Sequence, residues 1–369
     1  MKVLSLIYEY PPVGGGGGVA AAALNQELVN QGVSVEVVTS AMKDLSATEV
    51  VQGVTTHRVP CRRRYRYYST APELATTLLP TYRQAQKMIE ASRPDLIHTH
   101  FVLPSGLVAY ALRRKYGIPY VLTAHGSDIP GYNPDRFETL HWLLRPIWSR
   151  VVGGAAAMTS PSEFLAGLIR RKAHMPITIV PNGYASRSHQ GGSKRNLVLV
   201  VARLFPRKGV QHFIDSLRGA QHDWDFVVAG DGPYKAELER QTERVRVPVK
   251  FIGFVDQQTL RGLYEEARIL VFPSLRENFP MVLLEAMDAG CAVVTTDAEG
   301  CAEVVGTAGI VVEKGNAHDI RDALQALMSD PARIELLSRQ GRDRSQLFRW
   351  PRIAALYLDV FNAALGRAR

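Results

Sequence analysis

Two glutamates, Glu277 and Glu285, stand with seven residues between them in the stretch richest in chemical possibility, residues 272–287. Glu277 follows an apolar run that reads as a strand. Pro280 fits the first turn of a helix, where its missing N–H is not needed, and Gly290 suits the residue just beyond the end of that helix. The helix start would aim the amides of Met281 and Val282 at whatever Glu277 touches, an arrangement able to bind phosphate. Glu285 falls more than one turn into the helix, among Val282, Leu283, Leu284, Ala286 and Met287. A carboxylate in such surroundings needs a partner, because unpaired burial is expensive. A pair of ligand hydroxyls, such as a ribose offers, would serve; so would an internal Arg or Lys.

Further candidates lie in loops that follow strand-like runs. Arg203 and Lys208 offer a planar donor fork and a point charge, together suited to a diphosphate. Gly230, in the run 229–233, sits where it could line the same pocket. His125 begins a loop after the run ending at Thr123, where a ring nitrogen could bond a ligand hydroxyl; His98 and His100 read as structural. The glycines 14–18, Gly15 and Gly16 among them, let backbone approach a ligand, and a helix beginning near Val19 would add anion-attracting amides. They do not form a dinucleotide fingerprint, since Val19 replaces the third glycine. Asp223 and Asp225 have the spacing that holds a divalent metal, but they precede a strand and so fall at the wrong edge of the sheet. No metal site and no cofactor is expected.

These loops need strands to hold them. Apolar, β-branched runs alternate with helical stretches, the pattern of parallel sheets covered by helices. The first series is 3–8, 34–39, 55–59, 95–100, 119–123, 157–160 and 178–180; the second is 196–202, 225–229, 250–253, 269–272, 292–295 and 309–312. The chain of 369 residues is long enough for two such sheets. Pro181-Asn182-Gly183 and the polar stretch 186–193 mark the boundary, giving a first domain of 1–184 and a second of 185–349. In the last helical segment Ile353, Leu356, Tyr357, Val360 and Phe361 would bury one stripe. Ligands of open α/β sheets bind at the carboxyl ends of the strands, and two facing sheets would enclose a cleft.

Composition sets outer limits. With 46% hydrophobic and 21% charged residues the chain is a folded protein, and no apolar run approaches the ~20 residues of a membrane span. The start carries no signal-peptide pattern, so the cytoplasm is the expected location. Three cysteines, Cys61, Cys291 and Cys301, form neither a disulfide framework nor a zinc cluster. Of the net charge of +9, most falls in the first half: up to Val180, 19 Lys and Arg meet 12 Asp and Glu. The excess is densest at residues 62–68, where arginines alternate with tyrosines, as anionic headgroups or an acidic polymer would favour; a solvated loop is the alternative.

Taken together, Pro11-Pro12 with Gly15-Gly16, His125-Gly126, Pro181-Asn182-Gly183, Arg203 with Lys208-Gly209, Gly230 to Pro233, and the Glu277/Glu285 pair resemble the retaining GT-B glycosyltransferases of family 4. The resemblance spans about four-fifths of the chain. It implies two Rossmann-like α/β domains around a cleft, with the segment 350–369 returning to the first. It further implies a nucleotide diphosphate sugar held mainly by the second domain and an acceptor, lipid-linked or polysaccharide, bound mainly by the first, in cell-envelope glycan synthesis such as that of lipopolysaccharide. Carried over by position, Arg203 and Lys208 neutralise the diphosphate and Gly15 and Gly16 approach the donor. Glu277 holds donor-sugar hydroxyls near the anomeric centre, Glu285 the ribose and His125 the far hydroxyl of the sugar.

No metal or separate base is implied, because the leaving phosphate takes the acceptor proton on the same face. Many members carry glycines around the first glutamate. Asn278-Phe279-Pro280 stands here instead, a variant associated with uridine-type N-acetylhexosamine donors. Tyr184 and Ala185 replace the Asp that often follows Pro-Asn-Gly-x, which puts any role of that turn in doubt. A nucleotide-sugar 2-epimerase, or a GT-B subunit that binds nucleotide sugar without catalysis, shares the architecture. An NAD-dependent dehydrogenase is disfavoured by the missing third glycine.

Overall fold

Leu4 and Leu6 pack on one side of strand β1 (Lys2–Leu6), and Val3 and Ile7, at its end, on the other. Side chains alternate across a strand, so this sheet is covered on both faces. The structure, a computed structural model, describes residues 1–66, 69–132, 134–186, 193–219 and 223–368. It divides into two units, Met1–Gly183 with Trp350–Arg369, and Tyr184–Arg349.

The first unit holds β1, β2 (Ser34–Ser40), β3 (Thr48–Val51), β4 (Val54–Val59), β5 (Leu96–His100), β6 (Tyr120–Thr123), β7 (Ala157–Ser160) and β8 (Ile177–Ile179). They lie in the order β3-β4-β2-β1-β5-β6-β7-β8. Only β3 runs antiparallel, paired with β4. Residues 48–51 show no apolar periodicity and were not expected as a strand. They form one because Gln52 and Gly53, both at positive φ, close a two-residue hairpin. Register in the centre sets Ser5 beside Val37 on one side and His98 on the other.

Helix Trp350–Ala368 belongs to this unit and buries Ile353, Tyr357, Val360, Phe361 and Ala364. Leu356, expected in that stripe, is instead 37% exposed. At 100° per residue it falls at the rim of the buried arc, and Ala354 takes its place inside. Among the described residues no helix is long and apolar enough to cross a membrane.

The second unit holds β9 (Arg195–Val201), β10 (Asp225–Ala229), β11 (Val249–Gly253), β12 (Ala267–Phe272), β13 (Ala292–Thr296) and β14 (Ile310–Val312), in the all-parallel order β11-β10-β9-β12-β13-β14. Tyr184, assigned from sequence to the first domain, packs here. It is buried, its N–H donates to Phe348 O at 2.9 Å and its hydroxyl to Ser345 Oγ at 3.1 Å. Most of the expected linker, residues 187–192, lies outside the described residues.

Strand order reverses direction between β1 and β5 in the first sheet and between β9 and β12 in the second. At such a point, outside the carboxyl ends of the strands, an open α/β sheet receives its ligand.

Candidate functional site

The loops that leave β9 and β12 carry Arg203, Lys208 and Glu277. After β9 the chain makes a short turn, Pro206–Lys208, then passes through Gly209 into helix Val210–Ser216. Gly209 has φ +70°, and a Cβ there would lie 1.8 Å from Pro273 O, in the loop after β12. The two loops are therefore in backbone contact, tied also by Leu275 N donating to Arg207 O at 2.9 Å.

This contact brings Lys208 Nζ against Glu277 Oε1 as an ion pair, with each side chain about 15% exposed. Ser274, fully buried, donates its hydroxyl to the same Glu277 oxygen at 2.9 Å. The Lys208 ammonium also lies 5.8 Å from the centre of the Phe272 ring. Sequence placed Lys208 and Glu277 on neighbouring loops without joining them, and it missed Ser274, whose three-residue spacing from Glu277 was the available signal. Arg203 is exposed, and no hydrogen bond or ion pair of its guanidinium appears among the described residues. Gly230, at φ +138°, holds the loop after β10 against Ala202 O, 1.9 Å from where a Cβ would stand.

Helix Met281–Asp288 starts after Pro280, which occupies the cap position and not the first turn. Gly290 and Cys291 close it, donating to Met287 O at 3.0 Å and Ala286 O at 2.9 Å, the six-to-one and five-to-two pattern of a glycine-terminated helix. Met281 and Val282 occupy the first helical positions. Asn278 is buried and Phe279 packs on Phe348 with ring centres 5.8 Å apart. Glu285 accepts a hydrogen bond at Oε2 from the Tyr264 hydroxyl, 3.1 Å away. Burial, with the Glu285 charge second, pushes the Tyr264 phenol well above its ordinary pKa, so it remains a donor. Asp225 pairs with Arg195 at the amino edge of the sheet, away from these loops.

In the first unit His125 lies at the carboxyl end of β6. Asp128 shapes its loop, accepting from the amides of His125 at 3.2 Å, Gly126 at 2.9 Å and Val102 at 2.9 Å. His125 Nε2 lies 3.0 Å from His100 Nδ1, so the two rings share a proton and the tautomer of one sets that of the other. Gly15 and Gly16 open helix Gly16–Asn30, Gly15 as its cap residue. The amides of Gly15 and Gly18 lower the pKa of the Glu9 carboxylate against the opposing, larger effect of its burial. That end of the helix was expected to offer free amides to an anion; Glu9, which sequence gave no role, already supplies a carboxylate.

His98 is fully buried, with Nε2 2.8 Å from Thr123 Oγ1 and its ring among His100, Tyr357 and Phe361. Burial drives its pKa down to about 3. Burial likewise pushes His100 well down, with repulsion from His98 and His125 adding to it. Unfolded histidines titrate near ~6.5, so below that pH the unfolded chain takes up protons that these rings refuse. Their stabilising contribution is complete above that value and is lost as pH falls. Burial raises Glu9 and Asp128, which act with opposite sign closer to the carboxylate range.

The melting temperature of the first unit should therefore fall by a few degrees between about pH 7 and about pH 5.5. His98→Phe, a ring of similar size in the same aromatic nest, should flatten that slope. An identical slope in wild type and variant, followed by calorimetry, would refute the assignment.

The family profile of the glycosyl transferases group 1 matches residues 185–344, and that of the glycosyl transferase 4-like domain matches residues 15–183. An uncharacterized glycosyltransferase of Methanocaldococcus jannaschii is 25% identical over 358 residues, covering 95% of each chain. Among solved structures, a sucrose-phosphate synthase from Thermosynechococcus elongatus superposes with a TM-score of 0.80 at 23% identity, covering 100% of both chains. Anabaena HepE in complex with UDP gives 0.79 at 18% identity, covering 98% of this chain and 100% of that one.

Proposed function

This chain belongs to the group 1 glycosyltransferases, built from two α/β units of the GT-B type, and from that premise we propose that it is a retaining enzyme acting on a nucleotide diphosphate sugar. In this reading it moves a hexose or N-acetylhexosamine, carried by UDP rather than GDP, to a lipid-linked or polysaccharide acceptor in cell-envelope glycan synthesis. It works in the cytoplasm, at the cytoplasmic face of a membrane.

The observation that carries the reading is the Lys208–Glu277–Ser274 cluster on the two loops at the switch point of the second sheet. Departure of the nucleotide builds negative charge on the diphosphate. A cation already positioned there, and Arg203 with its uncommitted fork, stabilise that charge where it develops. Glu277, fixed by Lys208 and Ser274, is set to accept hydrogen bonds from sugar hydroxyls near the anomeric carbon. Glu285, held by Tyr264, accepts the ribose hydroxyls. The leaving phosphate takes the acceptor proton on the face it vacates, which gives retention without a separate base and without a metal. The UDP carried by the related HepE structure supports a uridine donor, as does the Asn278-Phe279-Pro280 variant.

A melting-temperature panel tests the donor. UDP and UDP sugars at a hundredfold excess over Kd should stabilise the second unit by about 2.7 kcal/mol, read as several degrees. GDP and ADP should shift it less, and EDTA should change nothing. No shift with any nucleotide would refute the donor assignment; a shift abolished by EDTA would refute its metal independence.

A further inference from the structure

The run Arg62-Arg63-Arg64 divides its labour. Arg63 is spent on architecture: its guanidinium donates to the carbonyls of Tyr65 at 3.0 Å, Arg66 at 3.1 Å and Tyr8 at 3.3 Å. Gly14 N adds a bond to Arg66 O at 2.6 Å, so the segment is stitched to the loop that leaves β1. Arg66 pairs with Asp44. Arg62 and Arg64 are exposed, and among the described residues neither guanidinium makes a hydrogen bond or ion pair. Tyr67 and Tyr68, the remainder of the basic and aromatic run, lie outside the described residues.

Both free arginines line a cavity of about 790 Å³. Its floor includes Ala41 and Pro60, which directly follow β2 and β4, so it opens at the carboxyl edge of the first sheet. Lys43 and Tyr65 join the wall, both exposed. The one carboxylate among the described lining residues, Glu73, is engaged by Thr70 N at 2.7 Å, Thr70 Oγ1 at 2.9 Å and Arg64 N at 3.2 Å. It thereby closes a helix cap and anchors the backbone of Arg64.

We infer that this cavity binds a phosphate-bearing head group of the acceptor. Two guanidinium forks and an ammonium match phosphate oxygens better than they match isolated hydroxyls. The volume lies in the range of pockets for whole small molecules, far above that of a single ion. Tyr65 supplies a ring against which an adjoining sugar can lie. The inference deepens the proposed transferase reading by naming its acceptor class, and it rests on that reading for the word acceptor. Binding of phosphate itself stands on the cavity alone.

The test is calorimetric titration of the full chain with inorganic pyrophosphate in the presence of saturating UDP, which occupies the proposed donor site. Wild type should bind, and Lys43→Ser/Arg62→Ser/Arg64→Ser should bind at least about tenfold more weakly, with a shallower salt dependence. The pair Arg62→Lys/Arg64→Lys, which keeps charge but loses the forks, should fall between. All variants should bind UDP as wild type does. Should UDP fail to bind any of them, the donor reading fails while the pyrophosphate comparison still judges the cavity. Flotation with phosphatidylcholine vesicles, with and without phosphatidylglycerol, separates the sources. Loss of both pyrophosphate binding and phosphatidylglycerol capture in the triple variant supports a lipid-borne phosphate; loss of pyrophosphate binding alone supports a soluble one. No pyrophosphate binding by wild type, or equal affinity in wild type and triple variant, would overturn the inference.

Discussion

Lys208→Ala and Glu277→Gln are each expected to slow nucleotide release from a UDP sugar by about 10²–10³-fold, the usual cost of removing one preorganised group from a developing charge. The two side chains are joined in an ion pair only about 15% exposed, so neither is a surface charge that solvent could replace. Lys208→Ala takes away the cation paired with Glu277 and leaves that carboxylate with Ser274 as its neighbour. Loss should fall mainly on kcat, because the charge Lys208 meets is greatest in the transition state. Glu277→Gln keeps size and shape but replaces one accepting oxygen by an amide donor. The Gln variant should therefore bind UDP nearly as wild type does and fail at turnover. Near-normal turnover in both variants would remove the cluster from the mechanism.

Gly209→Ala should be among the most damaging single methyl groups in the second unit. At φ +70° an alanine costs roughly 1–2 kcal/mol. The added Cβ would also stand 1.8 Å from the Pro273 carbonyl, a backbone atom that cannot rotate away. The total should exceed about 3 kcal/mol of unfolding free energy, read from denaturant midpoints. Turnover should fall as well, by about 10²-fold, because the loops that carry Lys208 and Glu277 are forced apart at their contact. Gly219→Ala is the control, since Gly219 has φ +76° and nothing among the described residues within 4 Å of a Cβ. It should cost only the conformational share. Equal losses in the two variants would mean that the loop crossing is not held as described.

What the sequence disclosed follows from burial. Strands such as β9, whose central residues are buried on both faces, announce themselves as continuous apolar runs. The exposed strand β3 has no such run, with Val50 and Val51 more than half exposed, and its existence depends on a turn that Gln52 signals weakly. Leu356 shows the limit of helical spacing, which gives an arc but not its edges.

The chemistry divides in the same way. Glu277, Lys208, Arg203 and His125 could be placed because each follows a recognisable strand, and a strand's end fixes a loop's position. Their partners could not, because Ser274 to Glu277, Tyr264 to Glu285 and Glu9 to the glycine loop are matters of side-chain direction. The net charge illustrates it best. Three consecutive arginines look equivalent in sequence, yet one is a backbone staple and two stand free at a cavity.

If the Lys208–Glu277 cluster drives departure of a nucleotide from its sugar, turnover must depend on it. The most direct measurement is the time course of UDP release from UDP-N-acetylglucosamine and UDP-glucose by the purified chain, with water taking the sugar in place of the acceptor and the anomeric proton of the first-formed sugar followed by NMR before it mutarotates. Wild type should release UDP, Glu277→Gln should lose release almost completely, and the product should keep the anomeric configuration of the donor. Undiminished release by Glu277→Gln, or a product of inverted configuration, would contradict it.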